Sequence, residues 1–391
     1  MKRWVVALLS CWLAACASTG PAPDGQRDAR FFSDRSFAAP SEPVRPEDVF
    51  ALSAEMRRYV RDEILPRART TTALEALIHA LLTKGQLKLE FDAEVTRNAA
   101  QTFDARAGNC LSLVILTAAL AKELNLPIEY GKAVIDETWA RSGNVYLLIG
   151  HVNVTVGRRS IEERMDVRRA GGVPSSGRAM TIDFLPPPDA AALRTVAIPE
   201  STVVGMYMNN RAVEALTAGR VDDAYWWARG AIVQAPQLLL AYNTLGAIYA
   251  RHGNLREAEL AYEHVLSQKP DNALALSNLI PLLEAQGRAE EARRLANRRD
   301  RLQPQSPFAQ FNRGLAALQA GDVAAAREAF LREIARDPNY HEFQYWLGVT
   351  YLRTGELDLA RKHLALALEG STTRRDRDLY AAKLARINAA R

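Results

Sequence analysis

Cysteine is nearly absent from this chain: its 391 residues contain three. Cys11 falls in an N-terminal leader and Cys16 directly follows it as an expected lipid site, which leaves one free thiol, Cys110, with no disulfide partner. An unpaired cysteine in an oxidising compartment is a reactive or a buried sulfur rather than half of a crosslink. Long apolar runs are missing beyond the first sixteen residues, which leaves no helical membrane span downstream of the leader. Charge of one sign is nowhere concentrated. The 50 Lys and Arg against 45 Asp and Glu give a net +5 spread along the chain, with no basic cluster to mark nucleic acid as a partner. No pattern asks for a metal or another cofactor, so none is expected. What the chain does have is bulk: with 48% hydrophobic residues it can bury more than one core, and two domains are expected.

Lys2 and Arg3 precede an apolar stretch from Trp4 to Leu13 that is too short to span a bilayer, the layout of an export signal. It ends in Leu13-Ala14-Ala15-Cys16, with small residues where lipoprotein signal peptidase cuts. Residues 1–15 therefore read as a lipoprotein signal peptide and Cys16 as the lipidated first residue of the mature chain. Ala17 after it, rather than Asp, is similar to the pattern of lipoproteins sent to the outer membrane of Gram-negative bacteria, where a three-chain anchor would hold the protein facing the periplasm. Residues 16–45, rich in Ala, Ser, Pro and charge with little periodicity, read as a flexible tether.

The C-terminal half repeats. Gly219, Gly253, Gly287, Gly321 and Gly355 are each 34 residues apart, as are Ala224, Ala258, Ala292, Ala326 and Ala360, and Pro236, Pro270, Pro304 and Pro338 recur on the same step. Glycine ends a first helix where a left-handed residue is needed, alanine lets a second helix approach closely, and proline stops that helix. This register resembles the tetratricopeptide repeat (TPR), and the second unit matches it best, with Tyr242, Leu245, Gly246, Tyr249, Gly253, Ala258, Tyr262 and Pro270. The resemblance implies five helix pairs over residues 205–371 stacked as an all-α solenoid, a capping helix in 372–391, and a groove that binds a protein or peptide. The third unit departs from it: Ile280-Pro281 stands mid-helix where a small residue is usual, which predicts a kink. Adjacent Trp226 and Trp227 cannot both face inward, so one is expected at the junction with the preceding domain.

That preceding domain, residues 46–200, carries the chemistry-bearing residues. Asp48–Ile64 and Thr72–Leu82 read as amphipathic helices, and Leu111–Leu124 is apolar on nearly every side, as in a helix surrounded by protein. Cys110 opens this helix, where backbone N–H groups and the positive dipole end favour a thiolate. The alternative for such a residue is an inert core cysteine. The stretch from Asn144 to Val156 alternates as one strand with His151, Asn153 and Thr155 on one face. A second strand, Met180–Leu185, buries Met180, Ile182 and Phe184 and puts Asp183 on the opposite face. Cysteine on a helix followed by histidine and aspartate on strands is the order of a thiol triad.

Thr102-Phe103, Arg106, Gly108-Asn109-Cys110-Leu111-Ser112, Ala119-Leu-Ala121 with Leu126-Pro127, Gly150-His151-Val152-Asn153-Val154 and Ile182-Asp183-Phe184 together resemble the bacterial transglutaminase-like superfamily over roughly residues 70–186. The resemblance implies a papain-like α+β fold with Cys110 as nucleophile, His151 as general base and Asp183 as the orienting acid. Asn109 beside the Cys110 N–H is a candidate oxyanion donor. The long basic loop 157–178 departs from the family. The implied activity is acyl transfer on peptide or amide bonds, hydrolytic or crosslinking, with the repeats presenting a substrate. The other readings are a non-catalytic adaptor with a vestigial triad, or an assembly lipoprotein in which both domains bind.

Overall fold

The computed structural model describes residues 29–83, 86–87, 89–92, 95–133, 138–142, 145–149, 151–157, 179–182, 184, 195–302, 308–371 and 374–389. Its N-terminal part builds upward from side-chain caps. Ser53 accepts a bond from the Met56 N–H and starts α1 (Ala54–Tyr59), which continues through a π-helical turn, Val60–Ile64, into Leu65–Ala68. The helix thus begins at the Ser53 cap and not at Asp48, which belongs to a separate short turn. Thr72 and Glu75 close a capping box at the head of α2 (Ala73–Leu82). A short parallel pair, β1 (Glu90–Phe91) and β2 (Ala107–Gly108), brackets α3 (Ala99–Ala105), which ends at Arg106 in the left-handed region.

Next comes α4 (Cys110–Glu123), buried without interruption from Cys110 to Ala121, as its all-round apolar sequence requires. It packs on a four-stranded antiparallel sheet of order β7-β6-β3-β8, made of β3 (Ile128–Ala133), β6 (Val152–Gly157), β7 (Ala179–Ile182) and β8 (Thr195–Ile198). A separate hairpin joins β4 (Thr138–Ser142) to β5 (Val145–Ile149). The single strand expected over 144–156 is therefore two strands in two different sheets, divided next to His151. Met180 also differs from expectation: it is exposed, while Ala179 and Ile182 on the same strand are buried and Ile182 joins the apolar core.

Helix pairs follow: α5 (Glu200–Thr217) with α6 (Val221–Gln234), α7 (Leu239–His252) with α8 (Leu255–Gln268), α9 (Ala273–Ala285) with α10 (Ala289–Leu302), α11 (Ala309–Gln319) with α12 (Val323–Arg336), α13 (His341–Thr354) with α14 (Leu357–Glu369), then α15 (Arg374–Ala389). All five glycines of the 34-residue register have positive φ, between +76° and +97°, at the turn inside each pair. All five alanines of that register are buried to 1% exposure or less. Gly246, Gly314 and Gly348 stand where a Cβ would meet Tyr262, Phe330 and Leu364 of the pairing helix at 2.6, 2.5 and 2.9 Å. One period later or earlier the same two positions read Ile280 and Ala296, so in the third pair the bulk sits on the first helix and the small residue on the second. That exchange conserves volume, and α9 runs through Pro281 as a helix. The apolar core divides after the third pair. One cluster unites the N-terminal part with the first three pairs, and a second, from Phe308 to Ile387, holds the last two and α15.

Residues 29–45 do not behave as the composition suggests. Phe31 and Phe37 are buried, and the segment lies along α6, α7 and α8. Tyr225 and Tyr249, which help to fix it, bond residues 192 and 218 positions away in the chain, which is why no local periodicity announces it.

Candidate functional site

The turn before Cys110 is built by its own motif. Asn109 caps α4: its Oδ1 accepts from the Ser112 backbone N–H and from the Ser112 hydroxyl, both at 2.9 Å. Gly108 is needed because a Cβ there would lie 2.6 Å from the Ser112 Cβ. The Ser112 hydroxyl in turn accepts from the Arg97 N–H at 2.9 Å, and Arg97 pairs with Asp92 at 2.8 Å. Arg106, left-handed at the end of α3, lays its guanidinium over the Phe103 ring. The motif residues around the thiol thus have structural duties of their own. Cys110 itself is a free cysteine, 9% exposed, at the first position of the helix.

His151 is buried immediately ahead of β6, and its carbonyl accepts from the Ala133 N–H at 2.9 Å. Because α4 packs on β6, Cys110 and His151 come from adjoining elements. Val152, Val154 and Val156 share an apolar cluster with Leu111, Val114, Ile115, Leu116 and Leu120 of α4, while Asn153 and Thr155 are buried as well, so both faces of β6 are covered. Thr155 and Thr181 pair by their hydroxyls at 2.8 Å across β6 and β7. Asp183 lies outside the described residues, as do Cys16 and most of the loop 157–178. Among the described residues no group of side chains has the arrangement of a metal site.

Sequence reasoning missed the residues that tie this turn to the repeats. The Asn109 Nδ2 donates to the Thr96 hydroxyl at 2.8 Å, and Asn210 on α5 donates to the same hydroxyl at 3.3 Å. The Thr96 N–H donates to the Glu214 carboxylate at 2.7 Å. Burial pushes the Glu214 carboxyl above the usual carboxylate range, against the hydrogen bonds from Thr96 and the charge of Arg211, 2.9 Å away, which favour its ionised form. Glu200, at the head of α5, accepts from the Tyr130 hydroxyl on β3 at 2.7 Å and pairs with Lys122 of α4 at 2.6 Å. The first repeat helix is therefore fastened to both ends of α4. No spacing in the sequence links positions 96, 109, 210 and 214.

Two family models described as tetratricopeptide repeat match this chain, at residues 249–311 and 311–375. The C-terminal part is made of TPR repeats. A curated relative, cellulose synthase operon protein C of Pseudomonas fluorescens (strain SBW25), is 30% identical over an aligned length of 163 residues, and the match covers 38% of this chain and 12% of that protein. The chain thus spans about an eighth of the relative's length. Among solved structures, a thermophilic TPR protein of Thermus thermophilus is 22% identical with a TM-score of 0.30, covering 46% of this chain and 98% of its own. Pseudomonas aeruginosa pilF is 20% identical with a TM-score of 0.29, covering 49% and 87%. YrrB, described as a TPR protein with an unusual peptide-binding site, is 21% identical with a TM-score of 0.25, covering 46% and 92%.

Proposed function

We propose that this is a protein-binding TPR protein whose N-terminal part performs thiol acyl transfer. The observation that carries the enzymatic half is the position of Cys110 at the head of a buried helix that packs on β6, the strand His151 immediately precedes. In this reading the Cys110 sulfur attacks an amide carbonyl, and His151 takes the thiol proton and returns it to the leaving amine. Asp183 holds the imidazole in the accepting tautomer. Water or a second amine then resolves the thioester, so hydrolysis and crosslinking share every step up to that point. The TPR region supplies protein or peptide binding, and Cys16, as a lipidated residue, would hold the whole at the periplasmic face of the outer membrane.

A second reading, a non-catalytic adaptor, is favoured by one specific observation: Cys110 is largely buried and the Asn109 carboxamide is engaged in capping α4 and bonding Thr96. The two separate by mass spectrometry after exposure to an activated ester such as p-nitrophenyl acetate. The enzyme reading expects acetyl on Cys110 that turns over in the wild type and forms about a hundredfold more slowly in His151→Ala. A thiol that stays unmodified in the folded wild type leaves the adaptor.

A further inference from the structure

The segment between Phe31 and Ser41 is bound by the repeats in the manner of a peptide ligand. Its backbone is read by repeat side chains at five points. The Tyr249 hydroxyl donates to the Phe31 carbonyl at 2.7 Å, and the Ser33 N–H donates to the Tyr225 hydroxyl at 2.9 Å. The Ala38 N–H donates to Asp222 at 2.9 Å, the Trp226 indole N–H donates to the Ala38 carbonyl at 2.6 Å, and the Ser41 N–H donates to Asp223 at 2.7 Å. Two aromatic anchors stand six residues apart. Phe31 packs edge-on against Tyr242 at 5.1 Å and against His264, and Phe37 stacks on Tyr225 beside His252. Between them Asp34 accepts from the Tyr225 hydroxyl at 2.5 Å and pairs with Arg229 at 2.9 Å. Main-chain bonds from side chains give affinity without demanding a sequence, while spaced pockets and one charged contact supply selectivity; this division of labour is that of peptide recognition.

We propose that the surface formed by α6, α7 and α8 is a peptide-binding site occupied in cis by residues 31–41. The partner it fits is an extended peptide from another protein carrying two aromatic residues six apart with an acidic residue between them. The cis segment is then a tethered competitor. A short tether gives an effective concentration on the order of millimolar, so a partner of the same intrinsic affinity binds weakly until the segment is released. The proposal rests on the protein-binding reading of the repeats and is independent of whether Cys110 is catalytic.

The test uses a fluorescent peptide of residues 29–45 and the full chain. The Phe31→Ala/Phe37→Ala variant, which frees the site, should bind the peptide about a hundredfold more tightly than the wild type does. Adding Asp222→Ala and Arg229→Ala to that variant should remove most of the gain. In the wild type, excess peptide should accelerate hydrogen exchange at the Ser33, Ala38 and Ser41 amides while the helices keep their protection. A released variant that is folded by circular dichroism and does not bind the peptide overturns the proposal. So does a released variant that unfolds while excess peptide leaves wild-type exchange unchanged, because the segment is then an integral part of the fold.

Discussion

The ring of Phe37 lies parallel to that of Tyr225, with centroids 4.0 Å and planes 3° apart, although the two residues are separated by most of the N-terminal part of the protein. This stack, with the bonds around it, fastens residues 29–45 to the repeats. Phe37→Ala should therefore abolish amide protection at Ser33, Ala38 and Ser41 and leave α11 to α15 unchanged, since those helices belong to a separate apolar cluster. Hydrogen exchange by mass spectrometry resolves the two regions, and loss of protection in both would contradict the assignment.

The bonds between Ser41 and Asp223 should make the attachment of this segment depend on pH. The Asp223 carboxyl is buried, which opposes ionisation. Its hydrogen bonds from the Ser41 N–H and hydroxyl, with Arg220 at 3.7 Å, nevertheless hold it below the usual carboxylate range. A depressed native value means that the stabilisation is present above the unfolded value of about 4 and is lost as the pH falls through the native one. Protection of the Ser41 amide should decline on acidification below about pH 4, and Asp223→Asn should remove that pH dependence. A segment held equally at about pH 3 and about pH 6 would sink this prediction.

Packing inside the repeats gives a third expectation. A methyl at Gly246 would stand 2.6 Å from the Tyr262 ring, so Gly246→Ala should cost about 1–3 kcal/mol by overpacking. Gly253→Ala meets no atom, but its φ of +97° should still cost about 1 kcal/mol. Thermal unfolding ranks the two variants, and equal stability for all three proteins would contradict the close helix approach.

The repeats were legible because three residue types recur in one register, and each has a local physical duty. The reversed pair Ile280 and Ala296 shows the limit of such reading: a departure at one position is intelligible only with its partner 16 residues away. The Cys110 helix was legible from its all-round apolar sequence. The bonds that hold its cap, from Asn109 to Thr96 and on to Asn210 and Glu214, were not, because they join residues with no common period. The strand expected through 144–156 failed for a related reason. Alternation marks a strand but not where one ends and another sheet begins, and the division falls next to His151.

Anchoring is tested separately. Wild type should partition with outer membranes and Cys16→Ser should not. Equal partitioning of the two forms would mean that Cys16 carries no anchoring lipid.

The central claim is that Cys110 and His151 act together, and the most direct measurement is the rate of Cys110 alkylation by iodoacetamide in the folded protein. Rapid modification of the native wild type is expected at about pH 6, with a rate in His151→Ala that falls toward that of an ordinary cysteine. A thiol that reacts only after denaturation, at the same rate with and without His151, would make Cys110 a structural core residue and leave the protein a TPR adaptor.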